Sequence, residues 1–361
     1  MNDDTTETTE PWLVELLVHS DPGPLVRKHL SLLNVLALSR ACKSLHKFVL
    51  DETTRARNFW TTLEVEAVEI HRRVTPIEAI NWHATYHAAK TGYLLMLAYL
   101  HENGYRWSCG VFCAAARHGH LDCLKYGREN NDNGYFRDPH VCWHAAGEGQ
   151  LACLKYAHEH GFWWDYTTCM TAAVNGHMDC LQYAHENGCP WDESACRAAA
   201  EYGHLDCLQY AHDRGCPWDE DTCSNAAING HLPCLQYAHE NGCPWDEDTC
   251  SNAAINGHLP CLQYAHENGC PWDEDTCSNA AINGHLPCLQ YAHENGCPWD
   301  EDTCSNAAIN GHLPCLQYLH ENGCPWDKHT CWEAAEAGHL DCLQYACDNK
   351  CPGWEECVEY M

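Results

Sequence analysis

Between Arg214 and Lys328 the chain carries no lysine and no arginine. Over all 361 residues, 20 basic side chains stand against 51 acidic ones, a formal net charge of -31. A surface so acidic repels phosphate, which argues against nucleic acid and anionic membranes as partners and leaves basic partners or metal cations. No run of about 18 apolar residues is present to span a bilayer. The opening MNDDTTETTEPW has no basic segment leading into an apolar core, so it does not read as a secretory signal. C-x-x-C, G-x-S-x-G, P-loop and dinucleotide fingerprints are all missing. With them go the usual sequence marks of a thiolate zinc site, a serine hydrolase and a nucleotide-binding fold.

What the chain has in quantity is cysteine, 29 residues in all. An odd number of that size suits a disulfide scaffold, a metal protein, or a reduced protein that uses cysteine as a small core residue. Without a secretory signal the third reading is favoured, and with it an intracellular, reducing compartment.

The chain is organised around one stretch, GCPWDEDTCSNAAINGHLPCLQYAHEN, residues 215 to 241. It recurs without change at 242–268 and 269–295, and at 296–322 with Leu319 in place of alanine. The glycines of the GHL step and its variants fall at Gly92, Gly119, Gly149, Gly176, Gly203, Gly230, Gly257, Gly284, Gly311 and Gly338. Every interval is 27 residues except the 30 between Gly119 and Gly149, where GRENNDNGYFRDPH adds three polar-loop positions. A supersecondary unit repeated in this way stacks on its neighbours to bury a continuous core.

Each unit reads as two helices. In the copy from Gly242, Pro244-Trp245-Asp246 is a turn, and Asp246 or Asp248 can accept hydrogen bonds from the open amides of a helix start. The first helix extends to about Ile255 and puts Cys250, Ala253 and Ala254 on one face, where small side chains let helices approach. Asn256-Gly257 breaks it. The second starts near Leu259, with Pro260 in the first turn, where a missing amide is harmless. Its apolar face is expected to be Leu259, Leu262 and Ala265, with Cys261 and Tyr264 beside it, ending at Asn268-Gly269.

Residues 1–10 are acidic and threonine-rich, as in a disordered tail. From 11 to 60 the apolar positions fall three or four apart, which predicts short amphipathic helices broken near Asp21-Pro22-Gly23-Pro24. Residues 61–77 are a linker or capping helix, and the repeats occupy 78–361.

HLSLLNVLALSRACKSLHKFV, His29 to Val49, followed by Phe59-Trp60, resembles the second half of an F-box. The Leu-Pro-x-Glu opening of that family is replaced by Pro11-Trp12-Leu13-Val14-Glu15-Leu16. The resemblance implies that Leu30, Leu33, Leu36, Leu38 and Leu45 dock on a Skp-type linker subunit of a cullin ligase. A helical cap shielding the first repeat is the alternative. In the repeats, Thr249, Ala253, Ala254, Gly257, His258, Leu259, Leu262 and Gly269 resemble the helical part of an ankyrin repeat. The unit is about six residues shorter than an ankyrin unit, and Cys270-Pro271-Trp272-Asp273 stands where the family's β-hairpin finger would be. The combination resembles the F-box and ankyrin proteins of giant DNA viruses of amoebae, which places it in host cytoplasm or nucleus.

The expectation is therefore an all-α protein: an ankyrin-like helical-hairpin solenoid of about ten repeats with shortened or absent β-hairpins, preceded by a small F-box-like domain. It implies a monomeric, non-enzymatic adaptor that binds an unknown target protein and needs no cofactor. Cys250, His258, Cys261, His266 and Cys270 are metal-ligand types, with His258 and Cys261 the best local pair, but a structural histidine tying adjacent loops and core thiols are the favoured account, and no metal site is assigned. Near-identical units supply no unique nucleophile, and no catalytic residue is assigned. Trp272 and its equivalents are expected to pack over the seams, an aromatic ladder for peptide or sugar being the alternative. The target-binding groove is expected where the copies disagree, at Trp143, His144, Met170, Arg197, Trp332 and Glu333.

Overall fold

The computed structural model describes residues 77–102, 104, 105, 107–130 and 140–357, with side chains from Ala84 onward. The expected tail, the F-box-like segment with Leu30, Leu33, Leu36, Leu38 and Leu45, and 61–76 of the linker lie outside the described residues. The chain divides into two compact units, Met1–Tyr135 and Phe136–Met361.

The first unit contains two hairpins, α1 (Ile77–Thr91) with α2 (Leu94–Glu102) and α3 (Cys109–Arg117) with α4 (Leu121–Glu129). The second opens with α5 (His140–Gly147) and α6 (Leu151–Glu159), α7 (Tyr166–Val174) and α8 (Met178–Glu186), and α9 (Glu193–Glu201) and α10 (Leu205–Asp213). The near-identical copies form α11 (Glu220–Ile228) and α12 (Leu232–Glu240), α13 (Glu247–Ile255) and α14 (Leu259–Glu267), α15 (Glu274–Ile282) and α16 (Leu286–Glu294), and α17 (Glu301–Ile309) and α18 (Leu313–Glu321). It closes with α19 (Lys328–Ala337), α20 (Leu340–Asp348) and the short α21 (Trp354–Cys357). No strand occurs among the described residues, and Cys-Pro-Trp-Asp joins one hairpin to the next in place of a β-finger. The described fold is the all-α hairpin solenoid that the periodicity predicts.

The local chemistry of one unit explains its bounds. Asp246 stands at the N-cap position of α13 in extended backbone, φ −138° and ψ −171°, without the side-chain cap hydrogen bond expected of it. In a later copy Asp300 accepts from the Thr303 amide at 3.1 Å while the Thr303 hydroxyl receives the Asp300 amide at 3.3 Å, a reciprocal cap. At the far end of α13, Gly257 turns the chain with φ +72° so that the His258 amide reaches the Ala253 carbonyl at 2.9 Å. Helix α14 follows at once with Pro260 in its first turn, and Gly269, φ +85°, ends it.

Two layers result. Within each unit the first helices of successive hairpins pack tightly on one another, and the second helices touch more sparsely. Cys250, Ala253, Ala254, Leu262 and Ala265 are fully buried, and Cys261 is nearly so. This corrects the apolar face expected for the second helix, because Cys261 belongs to the core while Leu259 is only half-buried. Leu259 is the first residue of α14, and helical side chains lean toward the N-terminus, so it lies over the Gly-His turn instead of the hairpin interior. Each second helix buries one leucine, or two in α2 and α18, each worth about 1.5–3 kcal/mol, and alanine and cysteine fill most of the rest.

Candidate binding surface

Most of the chemically capable side chains of a unit are used to hold its neighbour. The ring of Trp272 stacks on His266 with centroids 3.8 Å apart and planes 8° from parallel. The edge of Tyr291 in the next hairpin meets both rings, and its hydroxyl lies 3.0 Å from His266 Nδ1. The same triad recurs as His239, Trp245 and Tyr264, and as His320, Trp326 and Tyr345. The tryptophans thus sit in the seams, half-buried, as expected.

The histidine of the Gly-His step makes a second tie. His204 Nε2 donates to the Val174 carbonyl at 3.1 Å, and His120 Nε2 to the Lys90 carbonyl at 3.0 Å. His258 stands in the same relation to Ile228, and burial sets its imidazole below the usual range despite that bond. The histidines at these positions are structural ties between hairpins.

Thiols make a third. Cys270 Sγ donates to the Asp246 carbonyl at 3.1 Å, and Cys189 to the Asp165 carbonyl at 3.2 Å. Hydrogen bonding with Cys270 and burial together raise the Cys250 thiol well above its ordinary value. Burial pushes Cys261 up to about 11. Such thiols stay protonated at neutral pH, and it is the thiolate that attacks electrophiles or ligates metals. Among the described residues no group of three or more His, Cys, Asp or Glu is placed to hold a metal ion.

The residues expected to line a groove occupy one register of successive first helices. Trp143 and His144 are half-buried on α5, with ring centroids 4.6 Å apart at 70°. Met170 is half-buried on α7, Trp332 is exposed on α19, and Glu333 beside it is half-buried. Trp143 with His144 and Trp332 with Glu333 are neighbours in the chain, and the two pairs, Met170 and Arg197 sit on four separate hairpins. Arg197 on α9 is committed to carboxylates. Its Nη2 lies 3.1 Å from Glu193 Oε1 and 3.4 Å from Asp219 Oδ2, and its Nη1 lies 3.1 Å from Asp221 Oδ2.

Carboxylates of this kind were expected as helix caps and not as partners of a guanidinium. The first helices α11, α13, α15 and α17 begin with an Asp-Glu-Asp triplet, Asp219-Glu220-Asp221, Asp246-Glu247-Asp248, Asp273-Glu274-Asp275 and Asp300-Glu301-Asp302. Burial raises Asp246 above the usual carboxylate range, and Asp248, Glu247 and Glu220 add to it. Asp273 is raised by burial, then by Asp275, Glu274 and Glu247. At Asp327 burial acts the same way, but the His329 ring 2.7 Å from Oδ2 brings the net value below the ordinary one. The replacement of Arg197 by Ser224 at the same place in the next unit was the signal in the sequence.

Residues 169–212 match a family model described as "Ankyrin repeats (many copies)". No curated protein matches the chain. Among solved structures, the human ASB11 ankyrin repeat domain is similar over 44% of this chain and 84% of that one, at 18% identity and a TM-score of 0.37. The matched residues run from within α7 to within α10, so the ankyrin likeness rests on the two hairpins that precede the near-identical copies. By its described architecture the chain is an ankyrin-like helical-hairpin repeat protein. Ankyrin repeats are scaffolds for contacts between proteins.

Proposed function

We propose that this chain is a non-enzymatic adaptor whose repeats hold a target protein and whose N-terminal segment links that target to a cullin-type ubiquitin ligase. The observation that carries the scaffold half is the commitment of the repeated His, Trp, Tyr and Cys side chains to contacts between hairpins. What remains for a partner is surface, and an extended repeat surface suits a protein. The ligase half rests on the F-box-like residues His29 to Val49. It implies a Skp-type linker subunit as second partner and a reducing intracellular compartment, in host cells if the viral resemblance holds. The span from Tyr156 to Asp327 contains no lysine, which would spare the scaffold from ubiquitination.

The test is a pull-down of the full chain with the linker subunit. The expected result is capture by the wild type and loss in the Leu33→Asp, Leu36→Asp double variant. Failure of the wild type to capture the linker removes the ligase half and leaves a binding scaffold whose N-terminal helices act as a cap.

A further inference from the structure

We infer that the paired core thiols of successive hairpins act as a built-in redox staple. A hairpin that opens while a peroxide is present closes again around a disulfide between its first-helix cysteine and the cysteine 20 residues further on.

Each of the seven hairpins from α7 with α8 to α19 with α20 carries one such pair, hydrogen-bonded thiol to thiol. Backbone geometry brings the two together. In the hairpin of α9 and α10, Cys216 follows the second helix and donates to the Asp192 carbonyl at 3.1 Å. The same carbonyl accepts the Ala195 amide at 3.2 Å, so the thiol lies over the first turn of α9, where Cys196 is the next residue. In the last hairpin Cys351 donates to the Asp327 carbonyl at 3.1 Å and pairs with Cys331. Cys196, Cys331 and Cys351 are fully buried, and Cys216 is nearly so.

The second-helix thiols supply the contrast. Cys207 and Cys261 are buried as deeply, but among the described residues no thiol is hydrogen-bonded to either. Chain connectivity alone favours other pairings. Cys207 lies 9 residues before Cys216 and Cys223 lies 7 after it, and short loops close at less entropic cost. The fold holds the more distant partner in contact instead.

Charge decides what a pair can become. Two thiolates leave a monovalent cation with net charge in an apolar core and a zinc ion two ligands short, whereas two thiols and the disulfide that replaces them are neutral. In the closed hairpin both thiols are protonated and shielded, and they do not react. Local opening restores water and ordinary acidity. One thiolate then attacks hydrogen peroxide, its sulfur takes an oxygen to become a sulfenic acid, and the other oxygen leaves as water. The second sulfur attacks the first, the S–O bond breaks, and a second water leaves with the remaining thiol proton. Two electrons have passed from the sulfurs to the peroxide. The neighbouring thiol thus resolves the sulfenic acid before it is oxidised irreversibly. The bridge closes a loop inside one hairpin and so removes entropy from the opened state.

The experiment is incubation of the reduced full chain with hydrogen peroxide at neutral pH, blocking of free thiols, and peptide mass spectrometry without reduction. Near-identical copies yield indistinguishable peptides, so the pairs to follow are Cys196 with Cys216 and Cys331 with Cys351, whose surroundings are distinct. The expected result is that both bridges form while Cys207 stays free. A Cys216→Ser variant, in which serine keeps a donor for the Asp192 carbonyl, should accumulate sulfinic acid at Cys196 while Cys331 still bridges to Cys351. Circular dichroism checks that this variant is folded. The melting midpoint of the oxidised wild type should rise by about 5 °C or more and return on reduction. Cys216 joined to Cys207 or to Cys223 would mean oxidation of an unfolded chain and would overturn the staple. So would absence of both 20-residue bridges, a lowered midpoint, or a folded Cys216→Ser variant in which Cys196 is no more oxidised than in the wild type.

Discussion

The imidazole of His258 fills the space that a side chain on Gly230 would need: a β-carbon built there would lie 2.4 Å from Nδ1. Gly230 has φ +72°, so it serves the turn of its own hairpin and clears the way for the next one's histidine. The relation recurs from Gly92 with His120 to Gly311 with His339, and it makes the Gly-His step the interlock of the stack.

Gly242 provides the control, because it has φ +85° and nothing within 4 Å of a built β-carbon. Gly242→Ala is expected to cost only the left-handed backbone term, about 1–2 kcal/mol. Gly230→Ala adds the displacement of an imidazole from a packed site, about 1–3 kcal/mol more. Denaturant unfolding of the two variants reads the difference. Adding His258→Ala to Gly230→Ala should restore part of the added loss, and a double variant no better than the single would refute the interlock.

Acid acts on the same element. His258 is held below its ordinary value by burial, with His231 and His285 adding to the effect against the Ile228 carbonyl. His185 is lowered by burial and by Arg214, against Glu186. A base whose folded pKa lies below its unfolded one binds protons less well when folded. Its contribution to stability is complete above the unfolded value of about 6.5 and is lost as the pH falls below it. Stability should drop between pH 7 and pH 5.5, a window above the carboxylate range, and His258→Gln should flatten that slope. Equilibrium unfolding at the two pH values checks it.

The 27-residue period made the hairpin bounds and caps legible, since Asp246, Gly257, Pro260 and Gly269 each act within their own hairpin. That the tryptophans pack over the seams was legible too, but which group each histidine and thiol reaches across a seam was not, and the reason is the repetition itself. In a chain of identical copies a partner at one spacing cannot be told from a partner 27 residues further on. Cys270 takes a carbonyl 24 residues back, His266 a hydroxyl 25 residues on, and His204 a carbonyl 30 residues back. Only stacking decides among these. Arg197 was visible as an odd residue in its register, but its engagement with three carboxylates appears only once the next hairpin is in place.

The thiols should divide sharply by accessibility. Of the cysteines in the described residues, Cys109 alone is exposed. Burial holds Cys234, Cys288 and Cys315 at about 11, so the thiolate fraction at pH 8 is small as well as shielded. Brief alkylation followed by peptide mass spectrometry should label Cys109 first, with Cys250, Cys261 and Cys270 labelled only at the rate of unfolding. Rapid labelling of the core cysteines in native conditions would contradict the stacked core.

Ser251→Arg tests the electrostatics of the acidic ridge without any ligand. Arg197 and its partners are between 31% and 56% exposed, so each of their ion pairs is worth about 0.2–1 kcal/mol at most. Arg197→Ser should therefore lower stability modestly, and Ser251→Arg, facing Glu247, Asp273 and Asp275, should raise it by a similar amount. The gain has a defined pH course. Burial and neighbouring carboxylates raise Asp273 in the fold, which costs stability at neutral pH and ceases to do so once the carboxyl is protonated. An arginine that removes this penalty stabilises most at pH 7, and its effect should vanish below the unfolded carboxylate value of about 3.9. Salt at about 1 M shortens the Debye length to about 3 Å and should erase most of the gain. Thermal melts of wild type and variant across pH and salt check the sign. A gain that persists at pH 3 or in high salt would mean that the arginine acts through packing and not through the carboxylates.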